Sequence, residues 1–159
     1  MKSEKQDIRP SSRRSPGDLG RAASTSEVLE KRPLLKLRVV GGLSVVDIVN
    51  AQYLVDHDVI RALSLQLHSL IEEGHTRMLI NFCEVQCISC GVLGMLAALH
   101  KRLEEAQARL GLCGLDPLML RMIRICHLEP VFDIYADQTE ALSFVAKRGQ
   151  DGWPIRRIS

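Results

Sequence analysis

Three thiols stand close together in this chain, at Cys83, Cys87 and Cys90, within the run Cys83-Glu84-Val85-Gln86-Cys87-Ile88-Ser89-Cys90-Gly91-Val92-Leu93-Gly94. The spacing Cys83-x3-Cys87-x2-Cys90 is one that can hold a four-iron cluster, three thiolates leaving one iron open to a substrate. A zinc site drawn from Cys87, Cys90, Cys113, Cys126 or His127 needs two ligand pairs. Only one Cys-x2-Cys pair exists, and Cys126-His127 are adjacent, the wrong spacing for a second. The histidines at 57, 68, 75, 100 and 127 are dispersed. No Ser–His–Asp grouping is legible, and Gly41-Gly42 has no helix close behind it to make a phosphate-binding loop. The paired carboxylates Glu72-Glu73 and Glu104-Glu105 fall at helix ends or on solvated faces. The residues therefore indicate no catalytic group, no metal and no cofactor, and the cysteines are expected to pack as small hydrophobes.

The elements that must position these groups alternate between strand and helix. Leu35 to Val40 alternates apolar and basic residues, Gly41-Gly42 makes a turn, and Leu43 to Val49 is β-branched. Asp56 or Asp58 caps a helix with Val59, Ile60, Leu63, Leu67, Leu70 and Ile71 on one stripe, and Gly74 ends it. Arg77 to Phe82 is a continuous apolar run, as a buried central strand requires. A helix from about Val92 to Ala108 turns Val92, Met95, Leu96, Leu99 and Leu103 inward. Leu110 to Cys113 is a short strand, and Asp116-Pro117 opens a helix that runs to about Ile125. Val131 to Tyr135 is the last strand, followed by a helix from Gln138 to Lys147 capped by Asp137. The order points to an α/β fold, a mixed sheet of four or five strands with about four helices packed mainly on one side. With about three βα units, the chain falls short of the barrel on which radical enzymes with a three-thiol cluster are built.

The charge is divided along the chain. Residues 1–33 carry eight Lys/Arg against five Asp/Glu and are rich in Ser, Gly and Pro, which reads as a disordered basic arm. Residues 34–147, the folded domain, carry ten against thirteen, and residues 148–159, a loose tail, carry three against one. Trp153 is placed to tuck back onto the body. Arg13-Arg14-Ser15 and Arg21-Ala22-Ala23-Ser24 match basic kinase sites, a pattern common by chance. An acidic body argues against direct nucleic-acid binding. No apolar run reaches the roughly 18–20 residues of a membrane span. The polar start Met1-Lys2-Ser3-Glu4 is unlike a secretory signal. Five cysteines, an odd number, then indicate reduced thiols and a cytoplasmic location.

The run Ile88-Ser89-Cys90-Gly91-Val92-Leu93-Gly94 resembles the signature of STAS domains, named for sulfate transporters and anti-sigma factor antagonists. In that family an apolar residue ending a strand is followed by Asp-Ser-Ser-Gly-Leu-Gly at the start of a helix. The resemblance extends over about residues 35–146. It implies a mixed sheet of four or five strands and a non-enzymatic switch of the anti-sigma factor antagonist type. Such a protein captures an anti-sigma factor or related signalling kinase and so influences sigma-dependent transcription. Related domains also serve as docking subunits of lipid or anion transporters. By resemblance the partner contact falls on Ser89, Cys90, Gly91, Val92 and Leu93, with Asp116 to Met119 on the facing surface. Anchoring on Ile88 and Leu93-Gly94 sets Gly91 where the family carries its phosphate-accepting serine, so the usual phosphoserine control is expected to be missing. Ser89 keeps the surviving hydroxyl and is the candidate phosphorylation position, or simply the helix cap.

Overall fold

A computed structural model describes residues 32–148. The expected arm up to residue 31 and the expected tail from residue 149, Trp153 included, lie outside the described residues. Within them the order is β1 (Leu35–Val40), β2 (Leu43–Ile48), β3 (Tyr53–Leu54), α1 (His57–Glu72), β4 (Arg77–Asn81), β5 (Cys87–Ile88), α2 (Cys90–Glu105), β6 (Arg109–Cys113), α3 (Pro117–Ile125), β7 (Asp133–Tyr135) and α4 (Gln138–Arg148).

The main sheet has the order β1-β2-β4-β6-β7. β1 and β2 form an antiparallel hairpin whose register brings Val40 opposite Leu43. Gly41 and Gly42 close it, both at positive φ (58° and 81°), as a two-residue turn matched to strand twist demands. The remaining neighbours are parallel, so β2, β4, β6 and β7 deliver their C-terminal ends to one edge. β4 is central, and its Met78, Leu79 and Ile80 are buried with partners on both faces, which explains its unbroken apolar run.

The pleat divides these side chains between two cores. Val46, Ile48, Met78, Ile80, Leu110 and Leu112 pack beneath α1, α2 and α3. Leu43, Val45, Leu79, Cys113 and Tyr135 point the other way, onto Ala141 and Val145 of α4. Three helices thus cover one face and one covers the other. Asp56 caps α1 by accepting from the amides of Asp58 (2.8 Å) and Val59 (3.4 Å). Gly74, at φ 95°, lets the chain leave α1 for β4.

The structure departs from the sequence reading at several element ends and in one added sheet. α2 begins two residues earlier than expected, at Cys90, and ends about three earlier, at Glu105, and β6 starts at Arg109 instead of Leu110. β7 is shorter, starting at Asp133 instead of Val131. A separate two-stranded parallel sheet, Tyr53–Leu54 with Cys87–Ile88, was not anticipated. Two-residue strands carry too few side chains for a period to show.

Candidate functional site

The loop after β4 is built by one asparagine. Asn81 Oδ1 accepts from the Cys83 amide (3.1 Å), and its Nδ2 donates to Asp47 Oδ1 (2.9 Å). The other Asp47 oxygen takes Arg38 Nε (2.8 Å) and Nη2 (2.6 Å), and Arg38 Nη2 also reaches Gln138 Oε1 (2.9 Å). A polar chain therefore ties β1, β2, α4 and the loop together at the C-terminal edge of the sheet. Gly114 closes the contact from the β6 side, where a Cβ would stand only 2.8 Å from the Cys83 nitrogen.

Beyond Cys83 the chain makes a turn, Val85 N to Phe82 O at 2.9 Å, and enters β5. Gln52 O accepts from Gln86 N (2.8 Å) and Cys87 N (3.3 Å), and Leu54 O accepts from Ser89 N (3.0 Å). Tyr53 Oη donates to Gln86 Oε1 at 3.0 Å. Ile88 and Leu54 are buried beneath this small sheet, so the junction into α2 is fixed by backbone on one side and core on the other.

Ser89 occupies the N-cap of α2 with extended backbone (φ −98°, ψ 166°), yet its side chain makes no capping bond. The reading of Ser89 as a capping hydroxyl is therefore corrected, and the hydroxyl is half-buried at a helix start that it does not close. Gly91, next along, is exposed, and a Cβ there would meet Ser89 Oγ at 3.3 Å and Ile60 Cδ1 at 3.5 Å. Cys90 is also exposed.

The other expected contact residues divide. Val92, Leu93 and Met119 are 0%, 1% and 1% exposed and belong to the main core, so they support the surface from below and offer no side chain to a partner. Helical spacing explains this: Val92, Leu96, Leu99 and Leu103 form the inner stripe of α2. Asp116 is half-buried and caps α3, accepting from Met119 N at 2.7 Å. Its neighbour Leu118 projects outward. The loop that leads into α3 approaches the loop after β4 where Gly114 meets Cys83.

Two residues absent from the sequence reading complete the surface. Tyr53 and Val55 are 58% and 55% exposed, on either side of buried Leu54. The alternation Tyr-Leu-Val was the available signal, one turn of strand long. Together with Cys87, Cys90 and Gly91 they leave a mainly apolar collar around the helix start, with Glu84 beside Tyr53 and with His57 and Arg61 beside Gly91.

The cysteines do not behave as expected either. Cys83, Cys87 and Cys90 are exposed, as is Cys126, and only Cys113 is buried, which corrects the assignment of Cys83, Cys87 and Cys90 to packing. Among the described residues no group of three or more His, Cys, Asp or Glu side chains comes together as a ligand set. Burial, with nearby Cys83, Asp47 and Asp137 adding to it, pushes the Cys113 thiol from 9.0 up to about 12. One unforeseen grouping does appear: Ser44 Oγ lies 2.7 Å from His75 Nδ1, and His75 Nε2 lies 3.8 Å from Glu73 Oε2. Ser44 is only 4% exposed, so the pair fastens β2 to the start of β4 and its hydroxyl is closed to a substrate.

A sequence profile described as STAS domain matches residues 36–141. The chain belongs to the STAS family. Solved STAS-like structures share its architecture. One is an anti-sigma-factor antagonist (STAS) domain protein from Planctomyces limnophilus, 18% identical, with a TM-score of 0.61 over 69% of this chain and 94% of that one. Another is an anti-sigma factor antagonist from Mycobacterium paratuberculosis, 23% identical, with a TM-score of 0.59 over 69% and 90%. The Bacillus cell fate determinant SpoIIAA in its phosphorylated form is 21% identical, with a TM-score of 0.53 over 69% and 96%. No curated protein matches this chain in sequence. No helix of the described part of the STAS domain is long and apolar enough to cross a membrane.

Proposed function

We propose that this STAS domain is a non-enzymatic binding module of the anti-sigma factor antagonist type. It captures an anti-sigma factor or related signalling kinase in the cytoplasm and thereby influences sigma-dependent transcription. The observation that carries the reading is the apolar collar of Tyr53, Val55, Cys87, Cys90 and Gly91 around an uncapped helix start. Exposed aromatic and aliphatic side chains on a rigid, backbone-bonded platform are what a protein partner can desolvate at low entropic cost. The solved relatives of this fold described as anti-sigma factor antagonists support the choice of partner.

Control by phosphate at the family position is absent from this reading, because Gly91 has no hydroxyl. The partner's own state sets binding instead. The test is capture of kinase-type anti-sigma factors from the same organism by immobilised wild type, Gly91→Arg and Tyr53→Ala. A Cβ at Gly91 would be tight against Ser89 Oγ at 3.3 Å and in ordinary contact with Ile60 Cδ1 at 3.5 Å, and because the Ser89 hydroxyl holds no capping bond it can turn aside, so the arginine variant folds while obstructing the collar. Loss of capture in both variants supports the reading. Undiminished capture removes the collar from the interface, and co-purification with an ATP-hydrolysing transporter subunit overturns the choice of partner. Incubation with kinase and ATP followed by intact mass measurement is expected to give no phosphate, and phosphate on Ser89 would refute the unphosphorylated reading.

A further inference from the structure

A second open feature lies beside the collar. The outer faces of α1 and α2 leave a groove with Ile60, Leu65, Met95 and Ala98 as apolar walls and Gly91 at one end. Arg61 and His57 stand along it, and among the described residues no carboxylate lines it. Arg61 has no ion pair among the described residues. Leu65 is strongly exposed for its size. The groove therefore asks for an occupant with apolar side chains and negative charge.

The chain carries such a segment in the sequence just before the described residues. Gln66, next to Leu65 on α1, donates to the Arg32 carbonyl at 2.7 Å and accepts from the Leu34 amide at 2.9 Å. The point where residues 1–31 join the described body is thus clamped beside the groove. Four residues before Arg32 begins the only stretch of residues 1–33 with two large aliphatics side by side, Val28-Leu29, flanked by Glu27 and Glu30. At roughly 3.3 Å per residue those four residues reach about 13 Å. Arg61 is five residues from Gln66 along α1, about 7.5 Å at 1.5 Å per residue. Gln66 also lies about 140° around the helix from Arg61, so the segment reaches the groove when nearly fully extended.

We propose that Glu27-Val28-Leu29-Glu30 docks into the α1–α2 groove, its aliphatics on Ile60, Leu65 and Met95 and its carboxylates facing Arg61 and His57. A short tether holds the segment at an effective concentration in the millimolar range. A contact of roughly millimolar intrinsic affinity then leaves the groove about half occupied. Because Gly91 belongs to both groove and collar, the docked segment competes with the partner, a consequence that rests on the function proposed above. With half the molecules closed, opening the groove raises apparent partner affinity about twofold.

The test uses the full chain and no partner. Amide NMR spectra are compared for wild type, Val28→Asp/Leu29→Asp, Arg61→Glu, and Arg61→Glu combined with Glu27→Arg and Glu30→Arg. Docking predicts shifts at Leu65, Gly91 and Met95 when residues 28 and 29 are changed. It also predicts the same shifts for Arg61→Glu, and their reversal in the charge-swapped variant. Unchanged groove amides in the Val28→Asp/Leu29→Asp spectrum overturn the proposal. Shifts that depend on protein concentration, with a dimer in sedimentation, also overturn it by assigning the groove to a second copy. Failure of partner capture with these shifts intact overturns the proposed function alone.

Discussion

Gly114→Ala should be the most damaging glycine substitution in this domain. Gly114 lies at φ 69°, a conformation that costs an L-residue about 1–2 kcal/mol. A Cβ there falls 2.6 Å from Asn81 Oδ1, 2.8 Å from the Cys83 nitrogen and 3.2 Å from Cys83 Cα. Asn81 can escape only by giving up its bonds to the Cys83 amide and to Asp47, each contributing about 1 kcal/mol. The two Cys83 atoms are backbone and cannot rotate away. The total is about 3–4 kcal/mol, which for a domain of this size lowers Tm by roughly 12–16 °C. Urea and thermal unfolding followed by circular dichroism measure it, with two glycine controls. Gly74 also has positive φ, 95°, but nothing within 4 Å of a Cβ, so Gly74→Ala should cost only the backbone share of about 1 kcal/mol. Gly91 is at a helical position where a Cβ is tight only against the Ser89 hydroxyl, 3.3 Å away and free of a capping bond, so with that hydroxyl turned aside Gly91→Ala should be neutral or gain up to about 0.5 kcal/mol. If Gly114→Ala is no worse than Gly74→Ala, the reasoning from the close contact at Cys83 is refuted.

The remaining predictions concern caps, core and the buried thiol. Asp116→Ala should lose about 1 kcal/mol in urea unfolding, whereas Ser89→Ala, whose hydroxyl caps nothing, should stay within about 0.5 kcal/mol of wild type. Met119→Ala and Leu93→Ala should cost about 2–5 kcal/mol of stability, while Tyr53→Ala should leave stability nearly unchanged and weaken partner capture by about tenfold. Cys113 should resist iodoacetamide at pH 8 in the folded protein and react only on unfolding, while Cys83, Cys87, Cys90 and Cys126 react readily, as peptide mapping would read out. The folded state keeps the Cys113 proton that the unfolded chain releases above pH 9.0. Stability is therefore untouched below that pH and falls by about 1.4 kcal/mol per unit as pH rises from 9.0 towards about 12. Cys113→Ala should remove that slope.

The layers of the fold were legible because each core element carries a period long enough to read. The α1 stripe, the unbroken apolar β4 and the Asp116-Pro117 helix start each announce themselves locally. The site was harder. Helical spacing turned Val92 inward from the sequence, but the motif gave position without facing for its neighbours, and the finished helix shows that Leu93 is buried while Cys90 and Gly91 turn out. Exposure of Cys83 and Cys87 follows from the loop that Asn81 folds and from the pairing of β5 with β3. That pairing joins residues more than thirty positions apart through main-chain bonds, which side-chain patterns do not encode. The Ser44–His75 contact was hidden for the same reason, since nothing in either segment points to the other.

Because Gln52 and Leu54 supply the carbonyls that hold Gln86, Cys87 and Ser89, the proposed recognition surface is inherited as two separate stretches of sequence. Exchange of residues 87–91 with those of a relative, keeping residues 52–55, would set a new loop on a foreign template. Retargeting the domain by grafting therefore needs both stretches transplanted together, and libraries for altered partner choice should vary residues 53 and 55 alongside 87, 90 and 91.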